Sequence, residues 1–129
     1  MTMVINYSAF THDCTGDVCT GDVILFSEAV FGGSHRRPTH LGERTIVARV
    51  LKDSYGAERQ QHTFTLEVIA CEGVQPIEAG TRTTRKGRNV YRNGCRRMPW
   101  QDESQRREAL NEKHTRGDAA RAERAERRA

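Results

Sequence analysis

The sequence is short of the apolar side chains that build a protein core. Apolar residues make up 36% and aromatic residues 6% of its 129 residues. No window approaches the ~18 apolar residues that a membrane-spanning helix needs, so the sequence predicts no membrane contact. A chain of this length is expected to form one domain. The low apolar content therefore favours one normal core beside a stretch that buries very little.

The sequence also lacks a secretion signal. Residues 1–13 contain no basic region followed by an apolar run. Four cysteines in a chain without such a signal are expected to be reduced thiols rather than disulfides. The predicted compartment is therefore the cytoplasm.

A large excess of acidic residues is missing as well, which excludes a protein that mimics the surface of DNA. The net charge is +4, but it is unevenly spread. Residues 1–70 have a net charge of −2, residues 71–100 of +5 and residues 101–129 of +1. The positive excess thus lies in one short segment, which indicates a localised basic surface.

Short apolar stretches separated by glycine-rich turns extend through the chain up to residue 99. The predicted strands are residues 22–31, 44–51, 62–70, 81–85 and 89–98. Between the first two, the histidines, arginines and proline of residues 34–42 predict an exposed loop. Short strands without intervening helices are typical of a mainly β fold, either a small SH3-like or OB-like barrel or a rolled antiparallel sheet.

Two hairpins are predicted within this fold. Residues 44–51 and 62–70 pair through a long tip, residues 52–61, where Tyr55 is a candidate contact point unless it folds back onto the sheet. Further along, Asn93-Gly94 is a strong hairpin signal because both residues tolerate positive φ. We therefore predict a second, basic hairpin over residues 82–97.

The composition changes at Trp100, and residues 100–129 are predicted to form a charged helical tail. Asp102 and Gln105 have the spacing of a capping box, and Glu–Arg pairs four residues apart follow. Apart from Leu110 and scattered alanines, this segment has nothing to bury. It therefore either projects into solvent or orders on a partner.

The domain organisation follows from these patterns. We divide the chain into an N-terminal segment, residues 1–20, a β domain, residues 21–99, and the tail, residues 100–129.

The basic hairpin is the first candidate for a functional site. Guanidinium groups on a strand pair can follow a phosphate backbone, and an aromatic ring offers a surface on which a base stacks. The alternatives are an edge hairpin protected from aggregation by like charge and a surface for an acidic protein. The candidate nucleic-acid-binding residues are Arg82, Arg85, Lys86, Arg88, Tyr91, Arg92, Arg96, Arg97 and Trp100.

A metal site at His12, Cys14 and Cys19 is the second candidate. Two cysteines separated by four residues match poorly with the two tight ligand pairs of a structural zinc site. Cys19 also belongs to a tandem repeat, in which Cys14-Thr-Gly-Asp-Val18 is followed at once by the same five residues. We therefore predict free thiols, no metal and no cofactor.

Catalysis is the third candidate. His35, His40 and His62 offer a dyad with Glu43 or Asp53. The sequence nevertheless contains no nucleophile elbow, phosphate loop or metalloprotease motif. Histidines in an arginine-containing loop are most often surface residues. We assign no catalytic residue and predict that the chain is not an enzyme.

Two stretches carry a resemblance to a known group of proteins. Residues 42–66, which include Asp53-Ser-Tyr-Gly56, and residues 85–94 resemble small proteins encoded by phages of actinobacteria. The Arg- and Ala-rich tail suits a high-GC genome. The resemblance implies no activity and no catalytic residues. It implies expression in the cytoplasm of an infected bacterium, where small proteins act on host machinery or phage nucleic acid.

Two functional hypotheses follow. The first is a non-enzymatic accessory protein that binds nucleic acid through the basic hairpin, with a base stacked on Tyr91 or Trp100. The second is a protein-interaction module that binds and modulates a host protein through the β domain and the tail. Concentrated positive charge supports the first, and a helix with little to bury supports the second.

Overall fold

A computed structural model describes residues 5–55 and 62–128 of the chain. A 3-10 turn over Tyr7–Ala9 comes first. The strands and helices are β1 His12–Asp13, β2 Val23–Gly33, β3 Pro38–Tyr55, β4 His62–Gly73, β5 Arg82–Lys86, α1 Gly87–Tyr91, β6 Cys95–Arg97 and α2 Glu103–Arg128. Residues 56–61, most of the predicted tip, lie outside the described part.

The strands form one antiparallel sheet with the order β1-β6-β2-β3-β4-β5. The predicted mainly β fold with a C-terminal helix is therefore confirmed. The sheet has two edges, at β1 and β5, and is not closed into a barrel. Of the two predicted forms, the barrel and the rolled antiparallel sheet, the barrel is wrong. No helix of the described residues is long and apolar enough to cross a membrane.

Alternation along the strands explains why the sheet forms. In β4, Phe64, Leu66 and Val68 are buried while the residues between them are only partly covered, as expected when successive side chains point to opposite faces. In β2, Ile24 and Phe26 are fully buried on one face, and Val23 and Leu25 are half-buried on the other. Cover on both faces is what the continuous apolar run of β2 predicts.

Each face of the sheet has its own apolar cluster. The larger cluster packs the inward side chains of β2, β3 and β4 under α1, where Val90 is fully buried. The smaller cluster lies on the opposite face, where Ile5 and Phe10 of the N-terminal segment contact Val47 and Ala70. Residues 5–10 therefore belong to the packed structure of the β domain.

An ion cluster on the larger core's face shows that the sheet is rolled. β2 and β5 are separated by β3 and β4, so a flat sheet would hold them about 14 Å apart. Arg85 of β5 nevertheless reaches Glu28 of β2, with 2.7 Å between Nε and Oε1. Arg44 of β3 binds the same carboxylate at 2.7 Å. The bend coincides with irregular pairing of β3 and β4, next to Ala48 and Val50.

The predicted basic hairpin is wrong. Its two strands lie in different parts of the sheet, because β5 pairs with β4 whereas β6 pairs with β1 and β2. Between them the chain forms α1. Gly94 has φ +85° and its N–H bonds to the Tyr91 carbonyl at 3.0 Å. Asn93-Gly94 thus ends a helix instead of turning a hairpin, since positive φ serves both purposes.

The loop predicted over residues 34–42 is shorter in the structure. Its residues are nearly all exposed, as expected, but β3 begins at Pro38 and pairs with Gly33 of β2. The turn is closed by the Arg37 N–H, which bonds to the Ser34 carbonyl at 3.1 Å. Exposed residues at the end of a strand therefore cannot be told from loop residues by their exposure alone.

We predict that Glu28→Gln destabilises the domain by about 1–3 kcal/mol, because two partly buried arginines lose a charged acceptor. Burial raises the pKa of Glu28, but hydrogen bonds and charges from Arg85 and Arg44 outweigh it and hold the pKa below the usual 4.5. The stabilisation is complete above pH 4.5 and is lost as the pH falls through the lowered pKa. Urea denaturation across this range measures both effects.

The matched control is Glu43→Gln, an exposed carboxylate on β3. It should change the free energy of unfolding by less than about 0.5 kcal/mol. Equal stability of the two variants would show that the ion cluster does not hold the roll of the sheet.

Candidate nucleic-acid interface

The nine residues predicted to bind nucleic acid occupy four places in the fold. β5 and α1 follow one another directly, so the structure brings the cations of these two elements together. Arg96 and Arg97 lie apart from them on β6, and Trp100 precedes α2. The site is therefore not one surface.

Two of the predicted arginines are committed to internal ion pairs. Arg85 binds Glu28 as described above. Arg97 is buried and donates from Nη2 to Oε1 of Glu103 at 2.6 Å. Hydrogen bonds from Arg97 and from the Trp100 N–H lower the pKa of Glu103 to about 2. Neither guanidinium group is free to serve as a main phosphate contact.

The two aromatic residues predicted to stack on bases hold the structure together instead. The hydroxyl of Tyr91 accepts a hydrogen bond from the Val18 N–H at 3.1 Å, and burial raises the pKa of this tyrosine. The indole N–H of Trp100 donates to Oδ1 of Asp22 at 2.7 Å. The structure thus contradicts their use as stacking platforms, because each ring is tied into the interior by its polar end.

A shallow pocket between the end of β5 and the start of α1 brings together two of the exposed cations, Lys86 and Arg88. Its volume is about 300 Å³. Thr63, Thr84, Arg85, Lys86, Arg88 and Asn89 line it. We call it the basic pocket. Lys86 and Arg88 are exposed and form no ion pair within residues 5–55 and 62–128. Hydroxyl, amide and cationic donors without a carboxylate are the groups that contact phosphate oxygens in proteins.

Two further cations flank the basic pocket. Arg82 lies four residues before Lys86 on β5, about 13 Å away along an extended strand. Arg92 follows Arg88 by four residues, one helical turn further on. Both are exposed. A strip of positive charge therefore extends on both sides of the basic pocket.

The residues that hold the tail were not predicted. Asp22 has no exposed surface, and its carboxylate accepts hydrogen bonds from Cys19 N–H at 3.0 Å and from Trp100. Arg106 completes the set by donating from Nε to Oδ1 at 2.8 Å and from Nη2 to Oδ2 at 3.0 Å. A buried charge requires this kind of full compensation.

Further along α2, two more cations bind the β domain. The Nζ of Lys113 donates to the Val18 carbonyl at 2.7 Å and lies 5.7 Å from the centre of the Phe64 ring. Arg116 pairs with buried Asp53 at 2.5 Å. The first half of the tail is therefore docked, and the expectation that the tail projects or awaits a partner is wrong for this half. In the sequence, this docking is indicated by Arg106 and Lys113, which lie two helical turns apart and therefore on the same face of α2.

The candidate metal ligands are not brought together. Cys14 contacts Cys95 with 3.4 Å between the sulfurs, both buried, whereas His12 is exposed. Burial and the charge of Asp22 raise the pKa of Cys19 to about 12. Within the described ranges, no group of three or more His, Cys, Asp or Glu could hold a metal ion.

The histidines considered for catalysis lie in separate places. His35 and His40 are exposed near the β2–β3 turn, where the ring of His40 lies 5.5 Å from Phe31. His62 packs against Phe64 at 4.3 Å between ring centres. Asp53, a considered partner, is engaged by Arg116 and by the backbone and hydroxyl of Thr20. Absence of enzymatic activity stays a prediction.

Two similarities place this chain among known proteins. The family described as domain of unknown function (DUF7699) matches residues 19–100, more than half of the chain. Zinc finger CCCH domain-containing protein 62 of rice, Oryza sativa subsp. japonica, is 42% identical over 119 residues. The alignment covers 88% of this chain but the chain spans only 17% of that protein. No solved structure shows a significant match.

These findings correct the resemblance to phage proteins, which was wrong. The similar protein is encoded by a plant, and its alignment covers 88% of this chain, whereas the two stretches that resemble phage proteins contain 35 of the 129 residues and no diagnostic motif. The bacteriophage assignment, and with it the cytoplasm of an infected bacterium, is therefore withdrawn.

We predict that Asp22→Asn destabilises the protein by about 3 kcal/mol or more, because it leaves the buried Arg106 without a compensating charge. Chemical denaturation measures the loss. Asp17→Asn is the matched control, since Asp17 holds the equivalent position in the first copy of the repeat and its side chain is exposed. A loss of the same size in both variants would contradict the central position of Asp22.

We also predict that stability falls as the pH is lowered from 6.5 towards 4. Burial and the charge of Lys113 lower the pKa of His62 from 6.5 to about 4. Between these values the unfolded chain binds a proton that the folded chain does not, so unfolding becomes easier by up to ~1.4 kcal/mol per pH unit. His62→Gln should remove this slope in urea titrations, and His35→Gln should retain it.

Proposed function

The chain belongs to the DUF7699 family, and we propose that its β domain binds the phosphate backbone of nucleic acid at the basic pocket. The observation that supports this proposal is the composition of the basic pocket, in which two exposed cations, Lys86 and Arg88, converge with two hydroxyl groups and an amide and no carboxylate lines the pocket. Lys86 and Arg88 make the direct contacts, and Arg82 and Arg92 extend the positive surface on either side.

Contact with phosphates rather than with bases is expected at this site. Tyr91 and Trp100 are held in the interior by Val18 and Asp22, so they offer no stacking surface. Phosphate contacts position a protein on nucleic acid but do not read its sequence. We therefore propose binding with little sequence preference and a strong dependence on salt.

A protein-interaction module is the second candidate function. One side of β2 beyond Phe26 has no neighbouring strand within the described residues, and an exposed strand edge can pair with another chain. The docked half of α2 already contacts the β domain. We therefore expect a partner protein to bind the edge of the sheet and not this half of the tail. No catalytic step and no cofactor are part of either proposal.

A cytoplasmic location belongs to the same proposal. The four cysteines are free thiols, and Cys14 and Cys95 lie in contact without a bond between them. Such a pair is compatible with a reducing compartment.

We predict that replacing Lys86 and Arg88 together by glutamate lowers the affinity for mixed-sequence oligonucleotides at least about tenfold. Loss of two phosphate contacts should also reduce the slope of log affinity against log salt by about two. A salt titration with single- and double-stranded oligonucleotides, followed by fluorescence anisotropy, measures both quantities.

The control is the double replacement of Arg36 and Arg37 by glutamate, which changes the net charge equally at the β2–β3 turn. It should leave the slope nearly unchanged. If both double variants lose affinity equally, attraction by net charge explains the binding, and if the unaltered protein does not bind even at low salt, the proposal is wrong.

A further inference from the structure

The edge of β2 beyond β6 has no partner strand among the described residues. β2 pairs with β3 along its whole length, from Val23 to Gly33. On its other side the described strands cover only Ile24–Phe26, through β6. The edge then continues past Asn93, whose side chain donates to the Ser27 carbonyl at 3.3 Å.

The direction of the backbone groups along this edge follows from two contacts. The carbonyl of Val23 accepts the Met98 N–H at 3.0 Å, and the carbonyl of Ser27 accepts from Asn93, so both point away from β3. Hydrogen-bonding direction alternates from one residue to the next in a strand. The N–H and C=O groups of Ala29, which precedes the register shift between Val30 and Phe31, therefore point to the open side as well.

A groove of about 440 Å³ runs along these groups. One wall is built by α1 and the turn after it, with Asn89 and Arg92, and includes the carboxylate of Glu28. The other wall contains Phe31, whose side chain is 59% exposed. Both faces of a strand placed against β2 would thus find side chains to contact.

The two walls of the groove differ in charge. Glu28 is compensated, because Arg44 and Arg85 bind its two oxygens. Arg92 is exposed and forms no ion pair within the described part of the chain. The α1 wall is therefore positive, whereas the Phe31 wall is apolar apart from Glu43 at its rim.

We propose that this edge binds an extended peptide segment of a partner protein, which adds to the sheet as a further strand beside β2. The segment alternates acidic and apolar residues, with its acidic side chains towards Arg92 and its apolar side chains towards Phe31. Backbone hydrogen bonds with the edge of β2 at Ala29 provide affinity, and the two walls select the side chains, as in other cases of strand addition. The inference rests on the second candidate function, and it shares only Arg92 with the cations that flank the basic pocket.

Other occupants fit the groove less well. A second copy of this chain, paired edge to edge, would bring two Arg92 side chains and two Glu43 side chains to the same small interface, with like charges close together. Nucleic acid gains nothing from the unpaired N–H and C=O groups of a strand in a regular register, and Glu43 would repel its phosphates. An alternating acidic peptide satisfies the backbone groups and Arg92 together.

The test uses the full chain and a labelled, end-capped octapeptide that alternates glutamate and valine, followed by fluorescence anisotropy. We expect saturable binding. Ala29→Pro should weaken it about tenfold or more, because the substitution removes one edge N–H and places a ring in the groove. Ala29→Val is the matched control, which retains the N–H and should bind as the unaltered protein does.

Two N-methylated peptides keep the test decisive even where Ala29→Pro does not fold. One is methylated on every valine and the other on every glutamate. A bound strand turns only one of these sets of N–H groups towards β2, so one peptide should lose binding and the other retain it. Arg92→Glu should in addition favour a lysine–valine octapeptide over the glutamate–valine one.

Several results would overturn the proposal. The first two are that the glutamate–valine octapeptide shows no saturable binding, or that both methylated peptides lose binding equally. The other two are that sedimentation shows a dimer which Ala29→Pro converts to a monomer, or that Ala29→Pro abolishes binding of oligonucleotides. The last two assign the edge to a second copy or to nucleic acid. The basic-pocket proposal is tested by a different measurement, the oligonucleotide affinity of the variant in which Lys86 and Arg88 are both replaced by glutamate.

Discussion

The buried carboxylate of Asp22 is the interaction on which the arrangement of this chain depends. It joins two parts that are distant in sequence, the repeat segment, through the backbone of Cys19, and the start of the tail, through the indole of Trp100 and the guanidinium group of Arg106. A charge that is removed from water is tolerated only when its partners are complete. The docking of α2 and the closure of the repeat segment over the core are therefore one event, which explains why so polar a helix packs on the β domain.

The roll of the sheet is the second constraint, and it determines which charges remain available. Because Arg44 and Arg85 are used to compensate Glu28, the cations left exposed around α1 are Lys86, Arg88 and Arg92. The pairing of β2 with β6 ends at Phe26, because β6 begins at Cys95 after the turn at Asn93-Gly94, and the groove beside Ala29 and Phe31 is left open. The basic pocket and the strand edge are thus neighbours on α1, one facing β5 and the other facing β2. Their proposed ligands differ because exposed cations line the basic pocket, whereas the groove runs along the part of β2 that β6 leaves uncovered.

Much of the fold could be predicted from local patterns. The strands over residues 22–31, 44–51 and 62–70 coincide with the central strands of the sheet, because alternation of apolar side chains reports burial on a pleated surface. The segment after Arg85 could not be predicted in the same way. Glycine at position 94 suits a hairpin turn and a helix end equally well, and in the structure residues 87–91 form α1 with the side chain of Val90 buried. Propensity is overridden where packing of a single apolar side chain favours another geometry.

By itself the sequence determined the antiparallel β character of the domain, the helical character of the tail and the concentration of positive charge in residues 71–100, because periodicity, capping and charge are local properties. Only the tertiary structure decided which of those charges are available. Arg85 and Arg97 were withdrawn into ion pairs, Tyr91 and Trp100 became internal donors and acceptors, and Lys86 and Arg88 were left exposed. These outcomes depend on partners such as Glu28, Asp22 and Val18, which lie tens of residues away, and the burial that brings such partners together is a property of the whole fold.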